Sequence, residues 1–243
     1  MIVLIITAVR IKSMDSHRIS GRILAENIAG PGMLRLVEQS MQAWARKTSV
    51  TEIAVKERKH PQAALTFDDG PDIRYTPLLL DGLKERNVRV SFFLLGEKVE
   101  QYPELVERMQ KEGHLVGNHT YHHVQLNKLN ETKAREEILK TNNLIYETTG
   151  VYPLYLRPPF GAWKKNLELC VEMLPVFWTI DTLDWKVQNT EKIVHTVQEQ
   201  IEDGAIILMH DEYDTSVEAA LQVVDELKSQ GYELVTVDQL ILP

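Results

Sequence analysis

Cysteine is almost absent. Cys170 stands alone among 243 residues, so no intramolecular disulfide can form and cysteine usage does not report the redox compartment. It sits in an apolar helical pattern and reads as a core residue rather than a thiol nucleophile. Basic charge is also in short supply. The 27 lysines and arginines face 35 aspartates and glutamates, a formal net charge of −8, which argues against the basic surface of a nucleic-acid binder. Long hydrophobic runs are missing as well. Met1–Val9 is apolar, but a spanning helix needs roughly 20 such residues, and the run lacks the basic leader of a secretory signal. It reads as a buried strand, or as the stub of an anchor whose upstream part precedes Met1. There is no internal repeat, coiled coil or low-complexity tract.

What is present divides in two. Residues 1–59 are irregular: a basic stretch, the breaker Gly30-Pro31-Gly32, a predicted helix over Met33–Arg46 and a short strand over Thr51–Val55. From residue 60 to 243, short apolar runs alternate with longer amphipathic ones, the signature of βα units. The pattern predicts strands near 62–67, 88–94, 114–117, 153–157, 175–180, 204–209 and 233–237. It predicts helices near 73–86, 98–112, 131–148, 162–172, 190–202 and 216–230. Thr215 with Glu218 fits a capping box, and Asn189 or Thr190 fits a second N-cap. Gly113, Gly150 and Gly231 read as helix stops.

The polar clusters fall at the ends of successive strands, where parallel α/β sheets gather functional groups. Thr66-Phe67-Asp68-Asp69-Gly70-Pro71 places two adjacent carboxylates after an apolar run, an arrangement that a cation or a division of labour must offset. His119-Thr120-Tyr121-His122-His123 supplies imidazoles four apart, which one helical turn would aim at one ion. Two histidines and a carboxylate, Asp68 or Asp69, make a first shell for a divalent metal with open positions for water. His122 reads as exposed or as an outer donor. Arg157-Pro158-Pro159-Phe160-Gly161 is a rigid turn: either a structural turn with a surface arginine, or one that holds a cation beside a buried carboxylate and frees the Phe160 amide to meet an oxyanion. Asp181-Thr182-Leu183-Asp184-Trp185 adds two acids and an aromatic residue whose plainest role is packing. Leu208-Met209-His210-Asp211 ends another apolar run; alone, His210 reads as a hydrogen-bonded core residue, and with a carboxylate partner it becomes a positioned acid or base.

These five motifs, in this order, resemble the polysaccharide deacetylases of carbohydrate esterase family 4, which share the NodB homology domain. The resemblance covers roughly residues 60–243, and the segment before residue 50 carries no family motif. It implies an α/β fold, a distorted, incomplete (β/α) barrel of about seven parallel strands, and removal of N-linked or, in some members, O-linked acetyl groups from sugars. Carried over, it makes Asp69, His119 and His123 the metal ligands and Asp68 the catalytic base, held by Arg157. The Phe160 amide would help hold the oxyanion; phenylalanine stands where tyrosine is more usual, which leaves the backbone donor intact. His210 would be the catalytic acid with Asp184 as its charged partner, and Trp185 and Leu208 would line the pocket for the acetyl methyl. The metal would be zinc by ligand type, with cobalt, nickel or manganese as alternatives.

The implied partner is an acetylated glycan, with N-acetylglucosamine-containing peptidoglycan first, chitooligosaccharides second and acetylated xylan third. That substrate implies a bacterial enzyme acting outside the cell or at its surface, with anchoring through a segment at or before the N-terminus. Two readings from other classes compete: a catalytically silent carbohydrate-binding module, which intact Asp68 and His210 oppose, and an amidase for small cyclic amides. Oligomeric state is not legible in the sequence.

Overall fold

The structure, a computed structural model, describes residues 59–163 and 173–241. The expectations for residues 1–58, for Cys170 and for most of the helix expected over 162–172 lie outside the described residues.

Strands β1 (Gln62–Asp68), β2 (Ser91–Leu94), β3 (Leu115–Asn118), β4 (Tyr155–Leu156), β5 (Leu174–Pro175), β6 (Ile180–Asp181) and β7 (Ala205–His210) lie in the order β5-β4-β3-β2-β1-β7-β6. A two-residue strand, β8 (Glu233–Leu234), also pairs with β1. Every pairing is parallel. Chain reach shows that this sheet is curled. β5 and β6 sit at opposite ends of the order, yet only residues 176–179 join them. Seven strands laid flat would span about 29 Å from edge to edge, at about 4.8 Å per strand. Five Cα steps cover at most about 19 Å. The edges must therefore approach each other, which gives the incomplete parallel barrel expected from the resemblance.

Alternation along β1 separates two environments. Ala63, Leu65 and Phe67 join the main core with the surrounding helices. Ala64 faces inward with Phe93, Tyr155 and Val176. The strand is therefore apolar on both faces, as buried parallel strands are. Thr66 and Asp68 share the inward face and stand beside Leu208 and His210 in the β1–β7 register. Helices α1 (Tyr75–Glu85), α2 (Gly96–Gln101), α3 (Pro103–Lys111), α4 (Glu131–Thr149), α5 (Asp184–Val187), α6 (Thr190–Gln200), α7 (Asp214–Ser229) and α8 (Val237–Ile241) complete the order.

Four local expectations need correction. The helix expected over 98–112 is two helices broken at Tyr102 (φ −133°, ψ 55°), because Pro103 lacks an N–H and forces the preceding residue out of the helical region. The strand expected over 175–180 is two short strands on opposite edges of the sheet. The strand expected over 233–237 stops at Leu234, and Val237 opens α8. The capping box at Thr215 and Glu218 does not form: α7 starts at Asp214, and Glu218 instead accepts a bond from Thr190 Oγ1 at 2.9 Å. The other N-cap is Asn189, whose Oδ1 accepts from the Lys192 amide at 2.9 Å. Gly113, Gly150 and Gly231 follow helices in the left-handed region that glycine favours.

Candidate metal and catalytic centre

The end of β1 explains how adjacent acids reach one cleft. Asp68 continues the inward face, and Asp69 then turns left-handed (φ 69°), a conformation that aspartate tolerates better than most residues. Gly70 follows because space demands it: a Cβ there would lie 2.5 Å from Asp211 Oδ1.

The two histidines arrive differently. His119 follows β3, its amide donating to Leu94 O at 2.9 Å. Its Nδ1 donates to Arg157 O at 2.6 Å, which leaves Nε2 as the free ligand atom. Burial pulls the His119 pKa down to about 3 against the opposing charge of Asp69, so the ring is neutral at physiological pH. His123 is reached through an irregular loop rather than the helical turn expected from the spacing. Thr120 (φ 67°) and His123 (φ 54°) are both left-handed, and two such residues within four preclude a right-handed turn. The His123 ring packs against the Phe160 ring, with centroids 4.5 Å apart.

Asp69 Oδ1 lies 3.4 Å from Nε2 of His119 and 3.4 Å from Nε2 of His123. With metal bonds of about 2.0–2.1 Å, two ligands of a tetrahedral zinc stand about 3.4 Å apart. Asp69 Oδ1 is also buried without a hydrogen bond, an expensive state for a carboxylate oxygen unless a cation meets it. The three residues therefore fit a divalent ion, and all their ligand atoms lie within 4.8 Å of one another. His122 stands apart: its side chain is exposed, and its Nδ1 contacts Glu137 Oε1 at 2.7 Å.

Asp68 is not part of this triad. Its Oδ1 accepts from Arg157 Nη1 at 2.7 Å, while Oδ2 faces His119 Nε2 at 3.7 Å. Burial raises the Asp68 pKa, and the charges of Arg157, His210 and His123 pull it back without cancelling the rise. Arg157 is the largest fully buried side chain among the described residues. The same Nη1 donates to Thr66 Oγ1 at 2.7 Å, and the guanidinium carbon lies 4.2 Å from the Phe93 ring centroid. Thr66 thus helps orient the arginine, a role its place inside the first motif conceals.

His210 sits across the cleft, its Nε2 3.9 Å from Asp69 Oδ2. Fully buried Asp184 grips it twice, at Nδ1 (2.7 Å) and at its backbone amide (2.8 Å). Burial lowers the His210 pKa, but the bond and charge of Asp184, with Asp68 and Asp69, outweigh it and push the pKa up to about 9. His210 is therefore an imidazolium at neutral pH, with Nε2–H facing the cleft. Asp181 is local structure: its Oδ1 accepts from the Leu183 amide at 3.0 Å.

Phe160 is left-handed (φ 59°), its ring is exposed, and its amide makes no hydrogen bond among the described residues. Leu208 is buried on β7, and Trp185 is half exposed on α5. Two further sets of contacts are visible only in three dimensions. Asp211 is buried behind Gly70, accepts from Thr76 Oγ1, and has its pKa raised to about 7, chiefly by burial. Glu137 accepts from the amides of Tyr121 (3.1 Å) and His122 (2.9 Å).

Residues 55–176 match the polysaccharide deacetylase family. The chain is 42% identical over 185 residues to the peptidoglycan-N-acetylglucosamine deacetylase PgdA of Listeria monocytogenes, covering 76% of this chain and 40% of that protein. It is 40% identical over 186 residues to a peptidoglycan-N-acetylglucosamine deacetylase of Bacillus cereus, covering 74% of this chain and 68% of the relative. It thus spans about two fifths of the first relative's length and two thirds of the second's. The solved structure of the peptidoglycan deacetylase PdaC from Bacillus subtilis superposes with a TM-score of 0.73 at 42% identity, covering 75% of this chain and 91% of that one. The chain belongs to the polysaccharide deacetylase family.

Proposed function

We propose that this family member is a metal-dependent hydrolase that removes N-acetyl groups from N-acetylglucosamine-containing glycans, with peptidoglycan as its substrate. One observation carries the reading. Asp69, His119 and His123 converge on a point with ion-sized spacing, beside a carboxylate outside the triad and opposite His210, whose ring Asp184 holds by a hydrogen bond. A divalent ion bound there supplies Lewis acidity, polarising an acetyl carbonyl and lowering the pKa of water. Zinc suits two imidazoles and a carboxylate; cobalt, nickel and manganese are the alternatives.

The remaining chemistry belongs to side chains and one amide. Asp68, aligned by Arg157, takes the proton of the attacking water through its Oδ2. The Phe160 N–H donates to the carbonyl oxygen as negative charge gathers there. His210 passes the Nε2 proton to the departing nitrogen, and Asp184 holds the ring in place. The products are acetate and a free amine. Trp185 and Leu208 line the pocket for the acetyl methyl.

The peptidoglycan assignment is supported by the names of the Listeria and Bacillus relatives. It implies action at the bacterial wall. Among the described residues no helix is long and apolar enough to cross a membrane. We infer that residues 60–243 form the catalytic domain and 1–59 an N-terminal extension.

The test is acetate release from peptidoglycan, chitooligosaccharides and acetylated xylan, with and without chelator. Peptidoglycan is expected to be deacetylated fastest, only without chelator, and Asp68→Asn is expected to keep its metal by elemental analysis yet release no acetate. Full activity in Asp68→Asn would defeat the assignment of the base, and release of acetate from none of the three would favour a silent binding module.

A further inference from the structure

The two histidines of the metal triad are not equally held. His119 has a ladder bond at its amide and a carbonyl on its Nδ1. Among the described residues, the His123 ring meets Asp69 and the rings of His119 and Phe160, and no hydrogen-bond partner orients its other nitrogen. Histidine ligands ordinarily have such a partner. The position of His123 must then come from its backbone, and that backbone is left-handed at both Thr120 and His123.

One carboxylate meets the loop midway between the ligands. Glu137 Oε2 accepts from the amides of Tyr121 at 3.1 Å and His122 at 2.9 Å, and Oε1 contacts His122 Nδ1 at 2.7 Å. The helix that carries it is itself bolted to the end of β3. Asn118 Nδ2 donates to Ile138 O at 2.9 Å and to Asn142 Oδ1 at 2.6 Å, while Ala134 and Ile138 are buried. Asn118 Oδ1 also accepts from the Thr120 amide at 2.7 Å. Glu137 therefore links a fixed helix to the loop that carries His123, alongside the bonds from Gly96 N to Thr120 O (2.9 Å), Glu97 N to Tyr121 O (3.3 Å) and Val124 N to Thr120 Oγ1 (3.2 Å).

We propose that Glu137 is a positioning residue for the metal site: it takes the place of the missing partner of His123 by clamping the two residues before it. The proposal rests on the triad reading above and adds a determinant outside the five motifs. It gives the exposed His122 a purpose, as a third contact for the clamp rather than a ligand. Glu137→Gln preserves an oxygen for both amides, and its NH2 can donate to His122 Nδ1 in the other tautomer, so it should behave much like the parent. Glu137→Ala leaves two loop amides without their acceptor and frees His123.

The experiment is a zinc titration of the metal-stripped full chain against a chromophoric chelator, with the unfolding midpoint of each metal-stripped variant measured alongside. Glu137→Ala is expected to bind zinc roughly 10–100-fold more weakly, with Glu137→Gln within a few-fold of the parent. Should Glu137→Ala not fold, Glu137→Asp, one methylene short, replaces it with the same expected direction. If folded Glu137→Ala binds zinc within twofold of the parent while His123→Ala loses it, the positioning role is wrong and the triad stands. If His123→Ala binds zinc like the parent, the triad reading itself fails.

Discussion

Replacing Arg157 with methionine should cost the protein twice, once in stability and once in the working range of its base. The guanidinium is fully buried and bonds Asp68, whose carboxylate is almost as inaccessible. Two charges about 4 Å apart at an effective dielectric of about 20 attract by about 4 kcal/mol. Removing one strands the other, and breaking a buried pair on one side costs about 3–5 kcal/mol. Burial already raises the Asp68 pKa, and the same loss removes the charge that pulls it back, so it rises further. A base that must be ionised then works only at higher pH, so the acid limb of the kcat/KM profile should move to higher pH. The stability assay is a double-mutant cycle in urea at pH 7 with chelator present, using Arg157→Met, Asp68→Asn and the pair. The pair should cost about 2–3 kcal/mol less than the sum of the singles, because neither charge remains buried alone. Additivity within about 0.5 kcal/mol, or an Arg157→Met pH profile superimposed on the parent's, would refute the reasoning.

Two further outcomes follow from packing and protonation. Gly70→Ala would place a Cβ 2.5 Å from Asp211 Oδ1, so a stability loss of about 1–3 kcal/mol is expected in urea titrations, and an unchanged midpoint would show that the close approach is not restrictive. His114 is buried, its Nδ1 accepting from the Val90 amide at 3.1 Å, and burial lowers its pKa from 6.5 to about 4. The unfolded chain therefore takes up a proton below pH 6.5 that the folded chain refuses, and stability falls by about 3 kcal/mol as pH drops from 6.5 to 4. His114→Gln should flatten that part of the stability–pH curve relative to the parent; parallel curves would contradict the assignment.

The centre was legible where chemistry is local in sequence. Asp68 and Asp69 end an apolar run, and His210 ends another, so their arrival at one sheet edge follows from the parallel βα pattern. The pairing of Asp184 with His210 and of Arg157 with Asp68 came only through resemblance, since no spacing links residues 26 and 89 positions apart. The path to His123 was misread because i,i+4 spacing is silent about the left-handed residues that replace the helical turn. Tyr102-Pro103 could have signalled the helix break, as proline excludes the preceding residue from the helix. The split of the 175–180 run had no such mark: it follows from curling of the whole sheet, which brings strands distant in the order within reach of four residues. Glu137 was invisible for a plainer reason: it sits on an amphipathic helix among other charges and looks like solvated surface until the loop folds onto it.

Anomalous diffraction at the zinc edge, from crystals of the chain grown with zinc, tests the central claim most directly. A single strong peak about 2.0–2.2 Å from Asp69 Oδ1, His119 Nε2 and His123 Nε2, clear of Asp68, is the expected result. A peak bound by Asp68 in place of Asp69, or none between the two histidines, would contradict the account.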